Sequence, residues 1–325
     1  MLMTEGKWRR PKLFLVTGGC GFIGSHLVET LCAGGSRVRV LDDLSTGRRS
    51  NVPARVEVIE GDVADPATVA HAMSGVDACF HLAAVASVAR SMTDWIGTSR
   101  INLGGTVNVL DAARRAACEA PVPVVFASSA AVYGDPGVAL LDESERTEPL
   151  SPYGADKLAS ELHAAVATRL HNVPCLGLRF FNVYGPRQVP SSPYSGVISR
   201  FADALARNSA IEIFGDGEQV RDFVFVRDVV DALMKAVERA GQGESGICNV
   251  CTGRATSIRE LAANVGKAIG TNVGVSFLPP RPGDIRQSVG DPSRARDMLR
   301  WQSRTPLEAG LKTTLTWYQD CLQAF

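Results

Sequence analysis

Short apolar runs alternate along the chain with segments of helical periodicity. Leu13 to Val16, Val38 to Leu41 and Val56 to Ile59 are the first three runs. Between the first two, Ile23, Leu27, Val28 and Leu31 recur on one helical face. A helix holding Val69 and Met73 follows the third run, with Asp65 placed to cap it. Asp77 to Ala84 reads as a strand with a small-residue exit, and Asp94 to Cys118 as a long helix. Val122 to Ala127 is a strand ending at Ser128 and Ser129. Ser151-Pro152-Tyr153 opens a helix running to Leu170, and Cys175 to Phe181 is a strand ending at Asn182. Such alternation predicts an α/β fold, with a doubly wound parallel sheet covered on both faces. Ligands then bind at the carboxyl ends of the strands.

After Asn182 the rhythm breaks. Tyr184 to Pro193 and Pro279 to Asp284 are proline-rich loops. Residues 1–182 are expected to form the main sheet domain. Residues 183–325 are expected to form mostly a smaller, mixed α/β substrate-binding domain, with strands such as Asp222 to Val226 returning to the main sheet.

The first apolar run leads straight into a glycine turn, Thr17-Gly18-Gly19-Cys20-Gly21-Phe22-Ile23-Gly24, and then into the first helix. The second run ends at Asp42, eighteen residues past Gly24. Strand, glycine turn, helix, strand and acid make the Rossmann dinucleotide-binding unit, whose acid falls ~20 residues on. Gly18, Gly21 and Gly24 let the backbone turn and approach a pyrophosphate. The helix beginning near Phe22 and Ile23 points its free N–H groups at the anion. Asp42 suits the adenosine ribose hydroxyls and would repel a 2′-phosphate, which favours NAD over NADP. Arg48 and Arg49, close by, pull weakly the other way.

Composition narrows the partners. The chain is 45% hydrophobic and 21% charged, as in an ordinary soluble protein. Its 34 basic and 34 acidic residues balance, so no nucleic-acid or membrane-surface partner is expected. The apolar runs fall far short of the ~20 residues that span a bilayer. The basic N-terminus is followed by only Leu13 to Val16, too little for a signal-peptide core, so a cytoplasmic location is expected. Eight cysteines in such a chain are a poor argument for disulfides. Cys248 and Cys251 have the spacing of half a zinc site but lack a second pair. Residues three apart on a strand face opposite ways, so packing is expected there and no metal.

Ser129, Tyr153 and Lys157 carry the strongest chemical signal. Tyr153 and Lys157 are four apart in a helix and share one face. A tyrosine of pKa near 10 is a poor base, but a neighbouring ammonium favours the phenolate. The phenolate can then take a proton from a sugar hydroxyl or return it. Ser129 can hydrogen-bond the same hydroxyl, and Lys157 can also hold a nicotinamide ribose.

The glycine turn, Ser128-Ser129-Ala130-Ala131-Val132-Tyr133-Gly134, Ser151-Pro152-Tyr153-Gly154-Ala155-Asp156-Lys157 and Arg179-Phe180-Phe181-Asn182-Val183-Tyr184-Gly185-Pro186 resemble the extended short-chain dehydrogenase/reductase family, closest to its nucleotide-sugar epimerases. Matching segments run from about residue 13 to 297. The resemblance implies an isomerase: NAD⁺ takes hydride from C4 of a UDP-hexose while Tyr153 takes the hydroxyl proton. The 4-keto sugar turns over and receives the hydride on its other face. It also implies NAD contacts from Asp43, Asp62, Val63, Leu82, Ala83, Ala84, Asn102 and Phe180, besides the glycine turn, Asp42, Tyr153 and Lys157. Asn102 could instead pack against the sheet. Substrate contacts are implied for Ser129, Tyr153, Asn182, Arg221, Arg281 and Asp284. The arginine fork suits a diphosphate, although Arg221 could pair with Asp222 or Asp228 instead. A homodimer is implied, formed by the helices near residues 94–118 and 152–170.

Two departures bear on the reaction. Sugar dehydratases of this superfamily carry an acid pair directly after the Ser129 position, and the related decarboxylases usually an acid. Here Ala130 and Ala131 cannot move a proton. The position where a bulky aromatic commonly excludes N-acetylated sugars aligns with Ser288. The expected substrates are thus UDP-glucose and UDP-galactose first, then the N-acetylated pair, then UDP-glucuronate, whose carboxylate would want Arg90, Arg187 or Arg200. The alternatives are a 4-keto-sugar reductase and, in another class, an NAD-sensing binding protein without chemistry.

Overall fold

The computed structural model describes residues 12–116, 120–137, 140–188, 196–207, 209–270, 274–280 and 284–323. Seven strands form one parallel sheet: β1 (Leu13–Thr17), β2 (Arg37–Asp42), β3 (Glu57–Glu60), β4 (Ala78–His81), β5 (Val124–Ser129), β6 (Cys175–Phe180) and β7 (Gly246–Val250). Their spatial order is β7-β6-β5-β4-β1-β2-β3. The order reverses beside β1, and that switch point opens a crevice at the carboxyl ends.

Period two sorts the strand residues. Val16, Phe80 and Leu176 point into a core shared with α1 (Phe22–Ala33) and a helix at Val226–Ala240. Leu15, Cys79 and Phe126 point into the opposite core, against α2 (Pro66–Met73), α3 (Gly105–Arg115) and α4 (Pro152–His171). Strands buried on both faces explain why the sequence shows continuous apolar runs there.

The caps follow the expected chemistry. Asp65 accepts from the amides of Ala67 and Thr68 and starts α2. Ser151 accepts from Gly154 N at 3.1 Å, with Pro152 in the first turn, and starts α4. The long helix expected from Asp94 is broken instead. Short helices at Val88–Thr93 and Trp95–Ser99 meet at Asp94, whose carboxylate accepts from Gly97 N, and a π-helical turn at Arg100–Gly104 precedes α3. The end of that expectation, at Cys118, lies outside the described residues.

Beyond Asn182 the elements are short. Asn182–Tyr184 pairs in parallel with Phe223–Phe225, so the Asp222–Val226 segment does not join the main sheet. The later strand that does join is β7, beside β6. Ile211–Phe214 pairs with Val275–Leu278, and Val220–Arg221 lies between Thr256–Ser257 and Gln287–Ser288. Helices Val197–Ala206, Ile258–Ile269 and Leu307–Gln323 close a third core around Phe201, Ile213, Leu261 and Leu311. Cys248 and Cys251 are both buried, and burial pushes both thiols up. Among the described residues no helix is long and apolar enough to cross a membrane.

Candidate active site

A cleft of about 440 Å³ lies over the switch point. Its floor is the glycine turn. Gly18 has φ +69°, and a Cβ there would sit 2.7 Å from Ala83 N. A Cβ on Gly24 would run into the Gly18 carbonyl, so α1 can pack this close only through glycine. Gly21 starts α1 with no side-chain cap, which leaves the helix N-terminus to an anion. Phe22 and Ile23 border the cleft beside it.

Asp42 ends β2, buried at the cleft wall. Its carboxylate accepts from Cys20 N and from Leu44 N, each at 2.9 Å. Burial pushes this carboxyl up, and the two amides pull it back. The acid is thus aimed before any ribose arrives. Asp43 is exposed and accepts from Ser45 Oγ at 2.6 Å. Asp62 and Val63 close the same end, with Arg100 on Asp62 at 2.7 Å.

Leu82, Ala83 and Ala84 form the opposite wall. Asn102 is buried behind it rather than bordering the cleft: its Oδ1 accepts from Val85 N at 2.8 Å. A histidine that the sequence reading passed over completes this support. Thr106 donates its one proton to the Asn102 carbonyl at 2.7 Å, so it must accept from His81 Nε2. Nδ1 is then left to accept the Thr17 hydroxyl at 2.8 Å. Burial, helped by the Lys157 charge, lowers His81 to about 3, so it stays neutral. Thr17 Oγ1 in turn accepts from Leu82 N and Ala83 N, tying the wall to the glycine turn.

Ser129, Tyr153 and Lys157 meet at the far end of the cleft, beside Phe180. Tyr153 N donates to the buried Ser91 Oγ at 3.2 Å, which fixes the start of α4. Lys157 Nζ donates to Ala127 O at 2.8 Å and lies 5.8 Å from the centre of the Tyr153 ring. Burial lowers Lys157 to about 8, against Asp156 and Glu161. The Tyr153–Lys157 spacing predicts a lowered phenol pKa; here burial raises it, and a hydrogen bond with Ser129 opposes the rise. Ala130 and Ala131 follow Ser129 in a short 3₁₀ turn and bring no acid.

A smaller cleft adjoins, bordered by Asn182, Arg200, Arg221 and Asp284. Arg221 pairs with Asp284 at 2.5 Å, not with Asp222 or Asp228. Asp222 instead holds Thr252 and Gly253, and Asp228 caps Ser303 to Thr305. Arg90 borders the main cleft, Arg200 stacks on Phe214, and Arg187 pairs with Glu29. Arg281 lies outside the described residues.

Residues 14–251 match the model of the NAD dependent epimerase/dehydratase family. The chain belongs to that family. As a member it is an NAD-dependent enzyme, an isomerase like its named relatives. It is 40% identical over 312 residues to a UDP-glucose 4-epimerase of Mycolicibacterium smegmatis, covering 94% of this chain and 98% of that one. Among solved structures, the UDP-glucose 4-epimerase of Thermus thermophilus in complex with NAD is 36% identical, with TM-score 0.86 over 94% of this chain and 99% of that one. The UDP-N-acetylglucosamine 4-epimerase of Methanobrevibacter ruminantium is 33% identical, with TM-score 0.90 over 96% and 99%. The glycine cradle, the uncapped helix and the aimed Asp42 fit NAD, the cofactor of this family.

Proposed function

We propose that the chain inverts C4 of a UDP-hexose, with UDP-glucose and UDP-galactose as the leading pair. The observation behind this reading is the meeting of Ser129, Tyr153 and Lys157 at the end of an NAD cleft, with Ala130 and Ala131 where elimination would need acids. NAD, when bound, supplies the hydride acceptor and donor. Tyr153 takes and returns the C4 hydroxyl proton, Ser129 orients that hydroxyl, and the Lys157 ammonium favours the phenolate. Asn182, Arg221 and Asp284 face the adjoining cleft, where a diphosphate and its nucleoside would be anchored while the sugar turns. That division of labour suits a cofactor domain up to Asn182, joined by the later helix Val226–Ala240 and β7, and a mostly substrate-binding domain after it.

Ser288 supports a second reading, the N-acetylated pair. It sits half-buried in register with Arg221, and its side chain is far smaller than the bulky aromatic that would exclude an N-acetyl group.

The reading includes a homodimer. Leu162, Val166 and Leu170 form an exposed stripe at four-residue spacing on α4. Met92, Trp95 and Ile96, also exposed, lie on the short helices packed beside it. Exposed apolar side chains grouped on neighbouring helices suit an interface.

An NMR time course with UDP-glucose, UDP-N-acetylglucosamine and UDP-glucuronate in separate tubes, without added cofactor, tests the proposal. A C4 epimer growing in one tube names the substrate. No epimer in any tube, even with NAD⁺ added, rejects it.

A further inference from the structure

Glu161 lies one turn beyond Lys157 on the same face of α4. Its Oε1 accepts from Ser128 Oγ at 2.5 Å and from Arg179 Nε at 2.9 Å, and its Oε2 accepts from Arg179 Nη2 at 2.7 Å. Both side chains are only 6% exposed. The Arg179 guanidinium lies 4.7 Å from the centre of the Tyr133 ring, and the Tyr133 hydroxyl donates to Asn249 on β7 at 2.7 Å. One carboxylate therefore joins β5, α4 and β6 at the level of the reaction. Ser128 precedes Ser129, Lys157 is a turn away, and Arg179 precedes Phe180. Neither Glu161 nor Arg179 is among the residues bordering the cleft.

Stability alone is a poor reason for this pair. Desolvating two charges offsets their attraction, and an apolar pair of like volume often does as well or better. What apolar contacts lack is direction. Three hydrogen bonds of fixed geometry, one to β5 and two to β6, stop α4 from sliding across the sheet. We propose that the Glu161–Arg179 pair is a positioning device, which fixes Lys157 against Ser129 for the proton transfer at Tyr153 and holds Lys157 as an ammonium ion. This rests on the epimerase reading above.

The groups facing Lys157 allow that second role. Tyr153, Asp156 and Glu161 share its helix, and neutral His81 faces it from β4. Arg179 stands behind Glu161 on β6, so when both charges are removed the loss Lys157 feels is that of the nearer, negative one.

The test is the full-length, NAD-containing protein with Glu161→Leu and Arg179→Met together, which leaves no unpaired buried charge. The wild-type titration of Lys157, read from its ¹³Cε shift and assigned with Lys157→Met, is the reference. In the pair-free protein its midpoint is expected to fall by about half a unit or more. The kcat for the nucleotide sugar is expected to fall roughly 10- to 100-fold with KM nearly unchanged. A midpoint that stays put, or a kcat within about threefold of wild type, overturns the proposal. If the double variant does not fold, Ser128→Ala breaks the β5 link alone. A lower kcat at constant KM then supports the proposal, and wild-type kcat overturns it. Should the wild type turn over no nucleotide sugar, the proposed function fails, while the lysine titration still decides whether the pair holds Lys157.

Discussion

Lys157 Nζ gives a hydrogen bond to the Ala127 carbonyl at 2.8 Å, across the gap between α4 and β5. This places an ammonium in the interior, where burial lowers it from 10.5 to about 8. Between those values the unfolded chain binds the proton and the folded chain does not, so stability rises with pH across that window. Below pH 8 the buried ammonium costs up to roughly 3 kcal/mol, at 1.36 kcal/mol per unit. Lys157→Met is expected to be inactive yet more stable than wild type at pH 7. The gap should narrow as pH rises above 8 and close only above pH 10.5 in urea unfolding. A gap independent of pH would assign the penalty elsewhere.

In the proposed mechanism, Tyr153→Phe removes the group that moves the proton and little else. Turnover is expected to drop about 10²- to 10⁴-fold. NAD content, measured by absorbance after denaturation, should stay near wild type. Epimerisation at a normal rate would remove Tyr153 from the mechanism.

Gly18→Ala tests the cradle. A methyl group 2.7 Å from Ala83 N, on a backbone at φ +69°, must push the wall outward. A loss of roughly 1–3 kcal/mol is expected, together with purification free of NAD. Full NAD occupancy in this variant would mean that the turn tolerates a wider wall.

Leu162→Glu with Leu170→Glu puts two charges into the exposed stripe of α4. Sedimentation velocity should show the wild type as a dimer and this variant as a monomer at micromolar concentration. A wild type that already sediments as a monomer would remove the dimer from the reading.

The glycine turn, Asp42 and the first six strands could be read from the chain because each rests on local pattern: period, spacing and turn chemistry. Asp65 and Ser151 cap where their side chains predict. Apart from the helix broken at Asp94, a local cap, the misses were non-local. Nothing in Asp222 to Val226 says that it pairs with Asn182–Tyr184, nor that Gly246–Val250 closes the sheet, because pairing is settled between distant segments. Asn102 has the right helix for the wall, but its amide turns to the Val85 backbone behind it. His81 reads as one polar residue in an apolar strand, and only Thr17 and Thr106 on either side reveal its work. Glu161 had a signal, the third step of a four-residue spacing through Tyr153 and Lys157. Its partner Arg179 is remote in sequence and gave none.

The placement of β7 has a consequence for how the chain is made. During synthesis β6 emerges long before Gly246–Val250 arrives to cover its outer edge. Until then a buried-type strand, with unpaired N–H and C=O groups along it, stands open to any other extended chain. A ribosome that stalls or terminates before Gly246 therefore releases a nearly complete cofactor half that is adhesive by construction. Quality control must reach such a fragment before a second fragment does.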